Sequence, residues 1–313
     1  MSWFCGIMTI DIVYKLTCSI NTGGHFMLTD NVKGSADTVE LLNGVKIPCV
    51  GFGTWQIEGS AAELAAAEAV RAGYRHIDTA SAYGNEEFIG SGIKRSGIAR
   101  DELFLTTKLW NNIRTYDEAI AACEQSLSLL GTDYLDLLLI HWPNPLKFRA
   151  CWKERNAELW QAMEKLCRDG KVRAIGVSNF CARHLDALME TAEISPCVNQ
   201  IRLCPGDVDE ETISACTSKG ILIEGYSVLG TGKALSSEPL AKTAEKYGVS
   251  IPQLCIRWCL QNGFVPLARS VSPEHIKQNL DVFGFDIEPA DMVALSEMVG
   301  ECGVHENPDE RLF

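Results

Sequence analysis

The sequence predicts an α/β chain closed into a (β/α)8 barrel of the TIM type, with an N-terminal β-hairpin and two extra helices, on three observations. Short β-branched, apolar runs recur in units of roughly 25 to 40 residues, each followed by a loop, an amphipathic stretch and a glycine stop. The run from Tyr134 to His141 holds Leu135, Leu137, Leu138, Leu139 and Ile140 without alternation, the pattern of a parallel strand buried on both faces. At the first strand-to-helix turn there is only Gly51-Phe-Gly53, where an open dinucleotide-binding sheet would carry a full GxGxxG, which disfavours the doubly wound alternative.

The elements follow from local chemistry. Val39-Glu-Leu41 and Val45-Lys-Ile47 flank Asn43-Gly44, a hairpin signal. Strand one is placed at residues 50–53, and Ser60-Ala-Ala-Glu63 has the form of a capping box opening a helix that stops at Gly73. Strand two covers 74–78, with its helix ending at Gly97, and strand three covers 103–108. Thr115-Tyr-Asp-Glu118 caps a helix that sets Ile120, Cys123, Leu127 and Leu130 on one face before Gly131. Strands four to eight are expected at 134–141, 172–177, 197–201, 221–226 and 263–267. Further helices are expected near 239–247, 252–261, 273–279 and 289–299.

Residues 38–313 form the expected barrel domain, and 1–37 an extension expected to be disordered or loosely attached, with Met27 an alternative start. The first twenty residues mix Trp3, Cys5, Asp11 and Lys15 into an apolar stretch too interrupted for a membrane span, and lack the basic start of a secretory signal. At 46% hydrophobic residues the chain can fill a large core. Its 28 basic and 41 acidic residues, net charge -13, argue against nucleic acid and anionic membranes, so an anionic ligand needs a local cationic pocket. Thirteen cysteines with no CxxC pair read as reduced, mostly buried thiols of a cytoplasmic protein, and a monomer is expected.

In such a barrel the polar residues at the C-terminal strand ends meet the ligand. Those ends carry Trp55, Asp78, Lys108, His141, Ser178 with Asn179, Gln200, Tyr226, and Arg269 with Ser270. Lys108 closes an apolar strand and requires a carboxylate partner, for which Asp78 is placed. The phenol of Tyr83 is a poor acid, with an ordinary pKa of roughly 10, unless a cation such as Lys108 stabilises the phenolate. His141 alone reads as a core histidine; beside Asp78, Tyr83 and Lys108 it reads as a donor to a substrate oxygen. Such a set suits a reaction that brings hydride to carbon and a proton to oxygen, with no metal called for. Among the remaining candidates, His76 reads as structural, His25, His184 and His305 as surface residues, Asp133 as a turn and Asp136 as an edge residue. No His-x-His or carboxylate cluster falls at the strand ends, which disfavours a metal-dependent hydrolase.

Several segments together resemble the aldo-keto reductase family over residues 38–313: Gly51-Phe-Gly-Thr-Trp55, Gly73-Tyr-Arg-His-Ile-Asp-Thr-Ala80 with Tyr83-Gly-Asn-Glu86, Thr107-Lys108-Leu-Trp110, Leu138-Leu-Ile-His-Trp-Pro143, Ile175-Gly-Val-Ser-Asn-Phe180, Val198-Asn-Gln200 and Gly225-Tyr226-Ser227. Within the family the chain resembles bacterial and protozoan members of the diketogluconate reductase and prostaglandin F synthase type. The resemblance implies NAD(P)H-dependent reduction of a small-molecule aldehyde or ketone, with Asp78, Tyr83, Lys108 and His141 as the catalytic four and Tyr83 the general acid. It implies that Tyr226 stacks on the nicotinamide, that Ser178, Asn179 and Gln200 bond its carboxamide, and that Ser227, Leu229 and the Gly230-Thr-Gly232 loop follow the pyrophosphate through backbone groups. Further cofactor contacts are implied at Thr54, Trp55 and Asp78, and at Arg269, Ser270, Val271, His275, Gln278 and Asn279. Trp55, Trp110 and Trp142, with Tyr83 and His141, would line the substrate pocket.

The chain departs from the family pattern at four places. Ala268-Arg269-Ser270 replaces Pro-Lys-Ser, His275 stands for an Arg gripping the adenosine 2′-phosphate, and Gln278 for a Glu facing the adenine. Arg269 keeps a cation, so NADPH is still expected, whereas the largely neutral His275 implies that NADH is tolerated more than in a typical member. Arg202-Leu-Cys204-Pro205 replaces Glu-Leu-His-Pro, altering the loop after strand six. The competing expectation, from a different class, is a catalytically silent cofactor-binding regulatory or structural barrel.

Overall fold

The computed structural model describes residues 32–303 and 307–313. Residues 1–31, with Met27, His25 and most of the expected extension, lie outside the described residues, as does His305.

A short antiparallel hairpin, β1 (Thr38–Glu40) and β2 (Lys46–Pro48), precedes eight parallel strands: β3 (Gly51–Gly53), β4 (His76–Asp78), β5 (Phe104–Leu109), β6 (Leu135–Ile140), β7 (Val172–Ser178), β8 (Val198–Arg202), β9 (Leu222–Tyr226) and β10 (Val265–Ala268). These eight close in the order β10-β3-β4-β5-β6-β7-β8-β9, the (β/α)8 barrel that the sequence predicts. The helices are α1 (Gly59–Ala72), α2 (Glu86–Ser96), α3 (Tyr116–Leu130), α4 (Trp152–Arg168), α5 (Ala182–Met189), α6 (Glu210–Ser218), α7 (Glu238–Tyr247), α8 (Ile251–Gln261), α9 (Pro273–Gln278) and α10 (Pro289–Ser296). Two successive helices, α7 and α8, separate β9 from β10, and α10 follows the last crossover, which accounts for the two extra helices.

Several local expectations change. Helix α1 begins at Gly59 with Glu58 at its N-cap and no side-chain cap, so Ser60 and Glu63 lie inside the helix and make no capping box. The Thr115–Glu118 box on α3 does form. Ile120 on that helix is only half-buried, whereas Cys123, Leu127 and Leu130 are buried. In the hairpin, Gly44 alone takes the left-handed conformation (φ 81°), and the Gly44 amide donates to the Leu41 carbonyl. The connection is thus a longer loop, not a two-residue turn on Asn43-Gly44.

Strand alternation divides the core into two layers. Leu138 and Ile140 belong to the outer cluster beneath the helices. Leu137 and Leu139 face inward with Phe104, Ala174, Cys197 and Val198, where Leu41 and Ile47 of the hairpin pack on them. The hairpin therefore plugs one end of the lumen, and the Asn43 amide donates to the Arg173 carbonyl at its rim, 2.9 Å away. Asp136 is fully buried, not an edge residue: it accepts from Arg100 (2.7 Å), Arg173 (2.6 Å) and the Leu105 amide (2.9 Å). His184 is likewise buried, packed against Trp152 and Phe180, because α5 turns it inward beneath the chain end. Among the described residues no helix is long and apolar enough to cross a membrane, and eleven free cysteines are found, most of them buried.

Above the apolar plug the lumen turns polar, and Gly51 makes room for this. A Cβ there would lie 2.7 Å from His76 Nδ1 and 2.4 Å from Leu267. Gly51→Ala is expected to lower the unfolding free energy by roughly 1–3 kcal/mol through overpacking. Urea denaturation measures this, and an unchanged midpoint with unchanged slope would refute the packing argument.

Candidate active site

The plug leaves the C-terminal mouth as the open end, where the strand-end side chains gather. Lys108 on β5 and Asp78 on β4 are both buried, and the ammonium donates to Asp78 Oδ1 (2.6 Å) and Oδ2 (2.7 Å) and to the Thr79 carbonyl (2.9 Å). Beyond Asp78 the chain forms a 3-10 turn over Ser81–Tyr83 and reverses at Gly84 (φ 64°), which brings the Tyr83 hydroxyl to 3.4 Å from Lys108 Nζ. The Ser81 hydroxyl donates to the Lys108 carbonyl (2.9 Å), tying this turn to β5.

His141 follows β6 directly, its ring edge-on to Tyr83 (centroids 5.8 Å apart) and to Trp110 (4.9 Å). Its Nδ1 is buried without a hydrogen-bond partner. The structure therefore brings Asp78, Tyr83, Lys108 and His141 together, with Trp110 beside them. Trp142 is nearly buried; its ring and that of Trp110 pack on Phe313, at 5.1 and 5.7 Å. Trp55, 42% exposed, stands on the loop after β3.

The electrostatics follow from burial. Desolvation alone would depress the Lys108 ammonium, but the Asp78 carboxylate and the Tyr83 phenol outweigh it and hold it above its ordinary value. Burial pushes the Asp78 carboxyl up, against the pull of Lys108 and Gln200. Burial also pushes the Tyr83 phenol up; Lys108 pulls it down as expected, yet the expected net lowering does not occur here. Burial, and then the Lys108 charge, hold His141 well below its ordinary value, so its imidazole is neutral and offers an N–H.

Beside these four lies a second polar group. The Asn179 amide donates to the His141 carbonyl (2.9 Å) and to Ser178 Oγ (3.0 Å), and its oxygen accepts from the Tyr226 hydroxyl (2.6 Å). Ser178 Oγ donates to the Gln200 carbonyl (2.8 Å). Thr54 ties β3 to β4 by donating from its hydroxyl to the Asp78 carbonyl (2.9 Å). Among the described residues four non-glycine residues have positive φ: Gln56, Asn179, Ser227 and Thr231, all in loops that leave the mouth end. Backbone strain of this kind concentrates where ligands bind.

In the loop after β9 the amides of Gly230 and Gly232 are used internally, donating to the Ser227 (2.7 Å) and Leu229 (2.9 Å) carbonyls. Gly230 (φ 56°) also lies against the Cys302 carbonyl, 1.9 Å from where a Cβ would stand. Arg202 ties down this region, donating to Asp207 (2.6 Å) and to the Cys302 carbonyl (2.7 Å). Its cation thus straps the C-terminal segment where the family pattern has a Glu.

The residues after β10 stand apart from the four. Arg269 is exposed and donates to the Gln56 carbonyl (2.9 Å), and Ser270 Oγ accepts the Ser272 amide (3.1 Å). Val271, His275 and Gln278 are exposed, whereas Asn279 is buried at the end of α9.

Sequence reasoning passed over two members of this region. Asn85 holds the loops after β3 and β4 together, donating to the Thr54 and Ile57 carbonyls (both 2.9 Å) and accepting from Thr79 (2.9 Å). Glu224 is fully buried in β9, where it accepts from Gln200 Nε2 (2.5 Å). The signal was a lone carboxylate inside an apolar strand, the same kind that singled out Lys108. His76 Nε2 lies 3.5 Å from Glu224 Oε1, yet this is a contact of neutral groups. Burial pushes Glu224 up to about 8 and, with Lys108, lowers His76 to about 3.

The unfolded chain releases the Glu224 proton near its ordinary carboxyl value, whereas the native state keeps it to about pH 8. The contribution of Glu224 to native stability therefore falls as pH rises from about 5 to 8 and levels off above. Glu224→Gln removes this dependence, and the variant is expected to gain a few kcal/mol relative to the parent between pH 5 and 8.5. A difference in unfolding free energy that stays constant with pH would contradict it.

The aldo/keto reductase family model matches residues 49–299. Glyoxal reductase of Bacillus subtilis (strain 168) is 44% identical over 278 residues, 88% of this chain and 98% of its own length. Among solved structures, an aldo/keto reductase from Brucella melitensis superposes with a TM-score of 0.78 at 42% identity, over 83% of this chain and 98% of its own. A Bombyx mori aldo-keto reductase in complex with NADP does so with a TM-score of 0.77 at 32% identity, over 86% and 94%.

Proposed function

The chain belongs to the aldo/keto reductase family, an oxidoreductase family of carbonyl reduction, and from that premise we propose that it reduces an aldehyde or ketone to the alcohol with NADPH, Tyr83 acting as the general acid. One observation carries the reading: an ammonium fixed by a buried carboxylate stands 3.4 Å from a phenol at the barrel mouth. The nicotinamide supplies hydride to the carbonyl carbon when bound. Tyr83 gives its phenolic proton to the carbonyl oxygen, and Lys108 stabilises the phenolate left behind. Asp78 keeps Lys108 charged and in place, while the neutral His141 imidazole donates an N–H that orients the carbonyl. Trp55, Trp110 and Trp142 wall the substrate side.

The donor set fits a nicotinamide nucleotide. Ser178, Asn179 and Gln200 converge beside Asp78, the half-buried Tyr226 ring offers a stacking face, and Arg269 brings an exposed guanidinium to the loop after β10. The Bombyx mori neighbour holds NADP, which supports the same class of cofactor here. With Arg269 as the residue gripping a 2′-phosphate and the uncharged Gln278 nearby, NADPH is preferred and NADH accepted. Free, mostly buried cysteines support a cytoplasmic location.

Tyr83→Phe is expected to lower kcat for a small aldehyde such as glyoxal by roughly 10²–10⁴, with NADPH affinity little changed. Cofactor oxidation at 340 nm together with fluorescence titration measures both, and parental turnover by the variant would remove Tyr83 from the role. Arg269→Gln should weaken NADPH binding by roughly ten- to a hundredfold, the worth of one charge-assisted contact, and leave NADH nearly unaffected. Equal losses for the two nucleotides would show that Arg269 does not read the phosphate.

A further inference from the structure

Gln200 sits at the junction of two carboxyl groups. Its Nε2 donates to Asp78 Oδ2 at 2.8 Å and to Glu224 Oε2 at 2.5 Å, so both amide hydrogens are taken up from below. An amide nitrogen carries only two hydrogens, and the group's other end, Oε1, is then an acceptor in a fixed direction. Reversing the amide would turn its oxygen onto the Asp78 carboxylate, which cannot donate while it holds the Lys108 ammonium. Asp78 alone would be a pivot, whereas Asp78 and Glu224 together fix both the direction and the plane of the amide.

Glu224 has no other evident purpose in the lumen. It lies beside Gln200 in the β8–β9 register and beside Val265 on β10, with His76 at 3.5 Å on its far side. A buried carboxyl without a cation of its own is unfavourable, and a hydrophobic residue would be the better filler for stability alone.

We propose that Glu224 is a positioning residue for the cofactor: with Asp78 it locks the Gln200 side chain so that its amide oxygen is presented to the carboxamide N–H2 of the nicotinamide. The inference rests on the reductase reading and adds to it a residue that never touches cofactor or substrate. As a neutral acid, Glu224 still accepts the Gln200 hydrogen through its carbonyl oxygen. Glutamine can do the same, whereas threonine is suited to a strand but too short to reach.

The test compares binding of NADP⁺ with that of its 3-acetylpyridine analogue, which replaces the carboxamide N–H2 by a methyl group and is otherwise the same. Kd is read by quenching of tryptophan fluorescence on the full chain. The parent is expected to prefer NADP⁺ by about fivefold, the worth of one net hydrogen bond. Glu224→Thr should reduce that preference to less than twofold and Glu224→Gln should retain it. A general loss of structure would weaken both nucleotides alike and leave the ratio in place, so the ratio isolates positioning from folding. Should Glu224→Thr, with a cooperative melt, keep the full preference, or should the parent show none, the inference is overturned while the reductase reading stands. Should the parent bind neither nucleotide, the reductase reading fails and the inference with it.

Discussion

Everything at the mouth of this barrel depends on the buried pair of Lys108 and Asp78. An ammonium removed from water is tolerated only when its donors are met, and here two carboxylate oxygens, the Thr79 carbonyl and the Tyr83 hydroxyl surround it within 3.4 Å. Removing one partner from such a pair costs roughly 3–5 kcal/mol, because the other is left charged and unmet. The pair therefore couples folding to chemistry. The same contacts that make the lysine acceptable inside the barrel also hold its charge under the phenol.

The pair requires a lumen that is polar at one end only. The hairpin and the inward side chains of β5, β6, β7 and β8 fill the other end with apolar volume. Above this plug lies a polar middle tier of two hydrogen-bonded pairs, His76 Nε2 at 3.0 Å from the Thr106 hydroxyl and Gln200 at 2.5 Å from Glu224. Local dielectric is low there, so each misplaced donor would be expensive and each satisfied one is held firmly. Preorganisation of the mouth is a consequence of that tier and not of the loops alone.

The loops are fixed by a second set of contacts. Arg114, buried, donates to the Asn111 and Trp142 carbonyls and to Asn156, clamping the segment after β6 that carries Trp142. The C-terminal segment is tied to the same side: Asn144 donates to Asp309 (2.8 Å), Arg149 to the Arg311 carbonyl (2.6 Å), and Phe313 packs on Trp142 and Trp110. On this side of the proposed substrate pocket the loop after β6 and the C-terminal segment meet across the chain, Asn144 and Asp309 being 165 positions distant.

The barrel, its hairpin and its extra helices were legible in the chain because buried parallel strands leave unbroken apolar runs and helices end on glycine. Asp78, Lys108 and His141 were legible for a related reason, as charged or polar groups closing such runs. Local capping was less so: Ser60 and Glu63 have the composition of a helix start, but α1 begins earlier, at Gly59, with no side-chain cap. Asp136 read as an edge residue and His184 as a surface one because their partners, Arg100 and Arg173 for the first and Asp309 for the second, are distant in sequence. By itself, then, the sequence determined the fold and the identity of the groups at the strand ends, since both are written in local periodicity. Only the tertiary structure decided how burial and a neighbouring ammonium divide the pKa of Tyr83, and that Glu224 meets Gln200. Those outcomes depend on distances across the closed barrel, which no local pattern encodes.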